Sequence, residues 1–267
     1  FARHLDVALE SDVPVVDHCE DLHLAEGGCM NEGAISTELG LPGMPAAAED
    51  VMVARNVALA ELTGARLHLA HISTEGSVRM VREAKSRGLK VTAEACPHHF
   101  TITEETVRGY NTYAKMNPPL RTWKDVQAIK EGLRDGTIDV IATDHAPHAT
   151  QEKQLGFTEA PFGIVGLETA LPLTLALVDE GVLSLESAVD KLSTAPAKAF
   201  SLDKGTLAVG ADADVAVVDQ QEQWEVDPAK FRSKSRDTPF AGWKVKGRVT
   251  TTIVGGRVVF ETGQAEP

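Results

Sequence analysis

Four short apolar runs in this 267-residue chain end in residues that could do chemistry. The first closes on Asp17-His18-Cys19-Glu20-Asp21 and the second on His71-Ile72-Ser73-Thr74. The third closes on Cys96-Pro97-His98-His99 and the fourth on Thr143-Asp144-His145-Ala146-Pro147-His148. Histidine and aspartate in such a pattern suit a divalent metal, zinc above all, because imidazole nitrogen and carboxylate oxygen are among its preferred ligands. One histidine at a strand end reads more readily as a hydrogen-bonded core residue. Four runs in succession point instead to a ring of ligands, since parallel α/β folds bind at the carboxyl ends of their strands. Cys19 follows His18 and so faces the other side of a strand, and Cys19, Cys29 and Cys96 read as small buried hydrophobes. His4, His23 and His68 lack a supporting pattern and read as surface or packing residues. No G-x-S-x-G, G-x-G-x-x-G or Walker A run occurs, which argues against a serine hydrolase elbow, a dinucleotide site or a P-loop. Asn117-Pro118-Pro119-Leu120-Arg121 reads as a stiff loop able to hold Asn117 against a substrate. Pro161-Phe162-Gly163 could offer backbone groups, since glycine permits close approach.

The elements that must position these residues alternate. Strands are expected over 13–18, 66–73, 89–97 and 138–148, each Val-, Ile- or Leu-rich and buried on both faces as in a parallel sheet. Between and after them, helical spacing puts Val51, Ala54, Ala58 and Leu62 on one face. The same spacing joins Val126, Ile129 and Leu133, and then Leu167, Ala170, Leu171, Thr174, Leu175 and Val178. A further helix should start at Ser184 as N-cap and run to about Lys198, and the first eleven residues read as an amphipathic helix. After about Leu202 the pattern becomes β-rich, over 205–219 and 244–263, with Gly255-Gly256 as a hairpin turn. This divides the chain into an α/β body, 1–202, and a small β unit, 203–267. The body supplies four βα units, whereas a (β/α)8 barrel needs eight in about 250 residues. The fold is therefore either a smaller open sheet or half a barrel.

The 26 basic and 39 acidic residues leave a net charge of −13, which argues against nucleic acid or anionic membrane as a partner. With 43% hydrophobic and 24% charged residues the balance is that of an ordinary globular chain. No apolar run approaches the roughly 18 residues that span a bilayer, no signal-peptide pattern opens the chain, and three cysteines at irregular spacing fit a reducing cytoplasm.

The runs VDHCED, NEGAISTELGLPGMPAAAEDVMVARN, AHIST, CPHHF, KMNPPLR, ATDHAPH, PFGIVGLETALPL and TPFAGWKVKG together resemble dihydroorotases of the bacterial, multifunctional-enzyme-like type, in the amidohydrolase superfamily. The resemblance extends over nearly the whole chain. Allantoinases and hydantoinases share the tail pattern and the aspartate of the fourth run, but HCED, NPPLR and DHAPH in combination favour dihydroorotase. The resemblance implies the second half of a (β/α)8 TIM-type barrel with part of a β-rich side domain, which disfavours the open sheet. It implies zinc-dependent, reversible cyclisation of N-carbamoyl-L-aspartate to L-dihydroorotate in pyrimidine synthesis, with two zinc ions in a complete site. His18 and His71 match the histidines that hold the second zinc. Asp144 matches a ligand of the first zinc that is also the catalytic acid and base. Asn117, His148, Phe162 and Gly163 match substrate-binding positions, while His98 and His99 match supporting or structural ones. The family's His-x-His motif, the arginine after it and a bridging Asp or carboxylated Lys have no counterpart here. The expectation is that about 150 to 170 residues carrying them precede Phe1. Without that segment the chain is expected to be inactive, and poorly soluble or dimeric through an open sheet edge. A homodimer, and association with aspartate carbamoyltransferase, are the implied assemblies. The competing readings are a related cyclic amidohydrolase, such as a hydantoinase or allantoinase, and a non-catalytic scaffold for that carbamoyltransferase.

Overall fold

The computed structural model describes residues 13–263. The helix expected over the first eleven residues, with His4, lies outside the described residues. In chain order the strands are β1 (Val15–His18), β2 (Met30–Asn31), β3 (Gly43–Met44), β4 (Leu67–Ala70), β5 (Val91–Ala95), β6 (Val140–Ile141), β7 (Val215–Glu225), β8 (Lys244–Val254) and β9 (Arg257–Glu261). The helices that matter below are α1 (Ala47–Thr63), α2 (Glu75–Ser86), α3 (Pro97–Thr101), α4 (Trp123–Asp135) and α5 (Leu167–Asp179).

Strands β1, β4, β5 and β6 form one parallel sheet in that order, so neighbours in space are also neighbours in sequence. Helices intervene between consecutive strands, as the crossover between parallel strands requires. The body is therefore the expected α/β arrangement of four βα units, all four strands falling within the expected runs. Leu67 and Leu69 of β4 are buried, as are Val91, Ala93 and Ala95 of β5. Strand β1 departs from the expectation of burial on both faces. Val16 is 50% exposed, because β1 pairs only with β4 among the described residues.

Local chemistry sets where the helices start and stop. Thr74, the last residue of the AHIST run, N-caps α2 by accepting from the Ser77 backbone N–H. Thr122 caps α4 in a reciprocal box with Asp125, and Gly136 ends that helix at φ +81°. Helices α2 and α4 pack closely at Gly132, where a Cβ would stand 3.1 Å from Val78 Cγ1 and 3.0 Å from Ile138 Cδ1. Ser184 caps the helical stretch that begins at Leu185 and continues through a π-turn to Ala199, as expected.

Helix α1 turns the other way from the sequence expectation. Val51, Ala54, Ala58 and Leu62 face solvent, with Leu62 80% exposed. The buried face carries Glu49, Val53, Asn56, Val57 and Ala60. Alanine and valine recur around the whole helix, so apolar spacing alone fits either face. The polar Glu49 and Asn56 decide it, because both have partners inside the body.

The tail forms an antiparallel sheet, β7-β8-β9. Gly255 and Gly256 have φ +55° and +76° between the paired Val254 and Arg257, which is the type I′ geometry that favours glycine. Strand β7 starts at Val215 and not near 205, since residues 205–214 form turns held partly by Lys204 on Asp212 and Asp214. Helix α5 lies on β8 at Gly247, where a Cβ would come within 2.2 Å of Leu175 Cδ1. A cavity of about 920 Å³ lies beside this contact, lined by Pro172, Trp224, Phe231, Arg248 and Phe260. No histidine lines it, so this cavity and the candidate chemistry do not coincide. Among the described residues no helix is long and apolar enough to cross a membrane.

The reversed face of α1 gives a direct test. Val53→Ala empties a fully buried position and should lower unfolding free energy by about 2 kcal/mol in urea titrations, from lost methyl burial plus a residual cavity. Val51→Ala, on the face read as buried from sequence, should stay within about 0.5 kcal/mol of the parent. Equal losses at both sites would contradict the observed orientation.

Candidate active site

The carboxyl ends of β1 and β4 bring His18 and His71 together. His18 Nδ1 stands 3.1 Å from His71 Nε2, with the rings edge to face at a centroid distance of 4.7 Å. His18 Nε2 lies 3.4 Å from Glu20 Oε2, and that carboxylate oxygen also accepts from Asn117 Nδ2 at 2.6 Å. Glu20 thus links a candidate metal ligand to a candidate substrate ligand, a role the sequence reading did not assign it. The link favours the His18 tautomer with its proton on Nε2, leaving the Nδ1 lone pair toward His71.

His71 is half-buried, and its Nδ1, shielded from water, has no hydrogen-bond partner. Burial, followed by the neighbouring His18, pushes its pKa down, while Asp144, Glu94 and Glu49 oppose the shift. The ring is therefore held neutral near pH 7 and can offer a lone pair. Two imidazoles with facing nitrogens 3.1 Å apart and a nearby carboxylate are a donor set that fits zinc. Asp144 is close enough to act electrostatically on both His71 and Cys96. It does not complete a three-residue ligand cluster with His18 and His71 among the described residues. Both His71 (φ +31°) and Asp144 (φ +47°) sit in the left-handed region, where non-glycine residues are strained by about 1–3 kcal/mol each.

The backbone N–H of His71 donates to Glu94 Oε1 at 3.3 Å, and Glu94 Oε2 meets His68 Nε2 at 3.0 Å. His68 Nδ1 pairs with Thr92 Oγ1 at 2.8 Å, so His68 is a buried, satisfied packing residue, as read from the sequence. Cys19, Cys29 and Cys96 are free thiols and all buried, also as read. His145 Nδ1 accepts from the backbone N–H of Gly166 at 3.1 Å and so joins the end of the fourth run to the start of α5.

The substrate-side candidates lie on two connected loops. His148 Nε2 meets the Phe162 carbonyl at 2.7 Å, and the His148 backbone N–H donates to Asp237 Oδ2 at 3.1 Å. Gly163 has φ +120°, and a Cβ there would lie 2.6 Å from Ala146 Cβ and 3.1 Å from His148 Nε2, so only glycine fits. The Gly163 N–H donates to the Lys115 carbonyl at 2.9 Å. The Phe162 carbonyl and the Gly163 N–H, which the sequence reading held available to a ligand, are thus engaged within the protein. Two buried lysines brace this loop through backbone carbonyls. Lys115 Nζ donates to Phe157, Thr158 and Ala160, and Lys153 Nζ donates to Thr112, Lys115 and Pro161. Neither lysine, nor Glu94 or Asp237, was singled out in the sequence. The signal available for Glu94 was a lone carboxylate inside the apolar run of β5.

Beneath the loops lies a buried polar network. Arg121, which ends the NPPLR run, donates from Nε to Ser73 Oγ at 3.1 Å and from Nη1 to Asn31 Oδ1 and the Met44 carbonyl, both at 2.9 Å. Its Nη2 stands 3.8 Å from Glu49 Oε2. Glu49 also accepts from the Ser73 hydroxyl and from the Ser73 N–H at 2.9 Å. Burial pushes the Glu49 carboxyl up, but the Arg121 charge and the hydrogen bonds outweigh it and hold the carboxyl below its usual range.

With this geometry in place, the chain can be set beside known proteins. Residues 2–259 match the model of the amidohydrolase family, whose members are generally metal-dependent. A dihydroorotase of Syntrophus aciditrophicus is 56% identical over 259 residues, covering 97% of this chain and 61% of that protein. A dihydroorotase of Geobacter sp. strain M21 is 58% identical over 261 residues, covering 98% of this chain and 61% of that protein. The chain therefore spans about 61% of the length of these curated relatives. Among solved structures, the L-hydantoinase (dihydropyrimidinase) of Arthrobacter aurescens superposes with a TM-score of 0.87 at 30% identity, covering 100% of this chain and 61% of that one. The dihydropyrimidinase of Brevibacillus agri NCHU1002 gives a TM-score of 0.87 at 28% identity, covering 98% and 60%. These neighbours are TIM barrels, which agrees with a fold read as part of a (β/α)8 barrel with a β-rich unit.

Two outcomes follow from the buried charges. Arg121→Met should cost about 3–5 kcal/mol in chemical denaturation, since it leaves Glu49 buried and unpaired. Adding Glu49→Gln should recover part of that loss, and a double variant no more stable than the single one would contradict the pairing. Burial pushes the Lys153 ammonium down to about 8, below its unfolded value near 10.4. Between those two values the unfolded chain binds more protons, so the Lys153 contribution to stability rises with pH there. The stability of the parent relative to Lys153→Met should therefore grow as pH rises from about 8 toward 10, and a flat difference would refute the buried ammonium.

Proposed function

The chain belongs to the amidohydrolase family, and from that premise we propose that its protein is a dihydroorotase, converting N-carbamoyl-L-aspartate and L-dihydroorotate into one another. The observation that carries this reading is the 3.1 Å approach of His18 Nδ1 and His71 Nε2 at adjacent strand ends, with Glu20 joining His18 to Asn117. Identity of 56–58% to dihydroorotases, against 28–30% to the hydantoinase and dihydropyrimidinase structures, supports the substrate over its rivals. A hydantoinase-like activity is the second reading, favoured by the close superposition on those structures.

In this reading His18 and His71 hold one zinc ion and Asp144 holds a second. Zinc, when bound, supplies Lewis-acid activation of water and of the ring carbonyl. Asp144 takes a proton from the attacking water as the C–O bond forms and hands it to the ring nitrogen as the C–N bond breaks. Asn117 and His148 bind the substrate's polar edge, and the Phe162–Gly163 backbone borders the ring. With a chain charge of −13, positive charge for an anionic substrate comes from the metals and from His148 when protonated. A division at about residue 202 between barrel and β unit, a cytoplasmic homodimer and association with aspartate carbamoyltransferase belong to the same proposal.

Asp144→Asn in the protein at its full natural length should lower kcat by roughly 10²–10⁴-fold, because an amide cannot carry that proton. Turnover of dihydroorotate within tenfold of the parent would remove Asp144 from the mechanism.

A further inference from the structure

A second cluster of donor atoms lies on the turn that leaves β5. Cys96 is the N-cap residue of α3, and His98 and His99 are in its first turn. One ligand atom from each of the three lies within 4.8 Å of the other two. All three residues are buried, with exposures of 0%, 2% and 3%.

Two of the donor nitrogens have nothing to bond. His98 Nε2 and His99 Nδ1 are buried without a hydrogen-bond partner. His99 Nε2 meets the Pro118 carbonyl at 3.0 Å, and a carbonyl can only accept, so the proton sits on Nε2 and the Nδ1 lone pair is bare. An unpaired buried polar atom costs about 1–3 kcal/mol, and here two belong to adjacent rings at a centroid distance of 4.3 Å. A hydrogen bond from the far ring nitrogen to a backbone carbonyl is also what orients a metal-binding histidine. Burial, and then the carboxylates of Asp144 and Glu94, push the Cys96 thiol well up, so it is the charge of a bound cation that would draw off its proton.

We propose that Cys96, His98 and His99 bind a borderline or soft metal ion of the Zn²⁺ class, in a buried site whose ligands are distinct from the His18–His71 pair. One thiolate and two neutral imidazoles are a donor set such ions prefer, and the three protein ligands leave one tetrahedral position for solvent. On binding, the metal–sulfur bond forms as the Cys96 S–H bond breaks and its proton passes to solvent, with no change of oxidation state. Because His99 also holds the Pro118 carbonyl, a filled site stiffens the loop that begins at Asn117. The proposal does not rest on the dihydroorotase reading.

The test loads the protein at its full natural length with Co²⁺ and records the near-ultraviolet thiolate-to-cobalt charge-transfer band together with the number of metal ions per chain. The expected result is a band that Cys96→Ala abolishes and Cys19→Ala leaves intact, with one ion per chain fewer in Cys96→Ala. His98→Gln should shift or weaken the band while the circular dichroism of the folded chain is unchanged. Three results would overturn the site: no thiolate band in the parent, a band that survives Cys96→Ala, or one that only Cys19→Ala removes. An unchanged metal count in Cys96→Ala, meaning the pocket holds water only, would overturn it as well.

Discussion

The charge pair between Arg121 and Glu49, closed off from water, governs where the site's side chains can be. Removing two ions from water costs several kcal/mol each, and mutual attraction offsets that only when every remaining donor and acceptor is met. Here Asn31, the Met44 carbonyl and Ser73 complete the shell. The pair and its partners come from α1, β2, β3, the residues after β4 and the loop before α4, which are remote in sequence. The network therefore fixes one mutual register for the loops at the carboxyl end of the sheet. His71 lies two residues before Ser73, and Asn117 four residues before Arg121, so both inherit that register.

Strain and charge at the site follow from the same constraint. His71 and Asp144 hold backbone conformations that non-glycine residues avoid, and such positions persist only where the surroundings over-determine them. Around His71, burial lowers the ring's pKa, against the pull of three carboxylates, from Asp144, Glu94 and Glu49. A neutral ring with an available lone pair among carboxylates is prepared for a cation. Glu20 extends the arrangement outward by holding His18 and Asn117 to one carboxylate oxygen.

Much of this was legible in the sequence, and the parts that were not share a physical reason. The strand ends were readable because a β-branched run stops at a histidine or aspartate, as at VPVVDH and IDVIATDH. The Gly255-Gly256 hairpin and the Ser184 cap were readable because few residues satisfy those backbone positions. The orientation of α1 was not, because its apolar residues surround the helix and the deciding ones, Glu49 and Asn56, are buried and polar. Counting apolar spacing assigns such residues to solvent. The same habit hid Glu20, Glu94, Lys115, Lys153 and Asp237, whose partners are distant in sequence or are backbone carbonyls. His18 and His71, by contrast, were named from sequence and stand side by side, whereas Asp144 reaches His71 only through its field.

The central claim, that this site belongs to a dihydroorotase, is tested most directly by substrate competition. The zinc-loaded protein at its full natural length is assayed for kcat/KM with dihydroorotate, hydantoin and allantoin in parallel. The account predicts preference for dihydroorotate by roughly 10²-fold or more, the scale reached when a site's polar groups are built for one substrate. Faster turnover of hydantoin or allantoin, or no turnover of any of the three by the zinc-loaded protein, would contradict it.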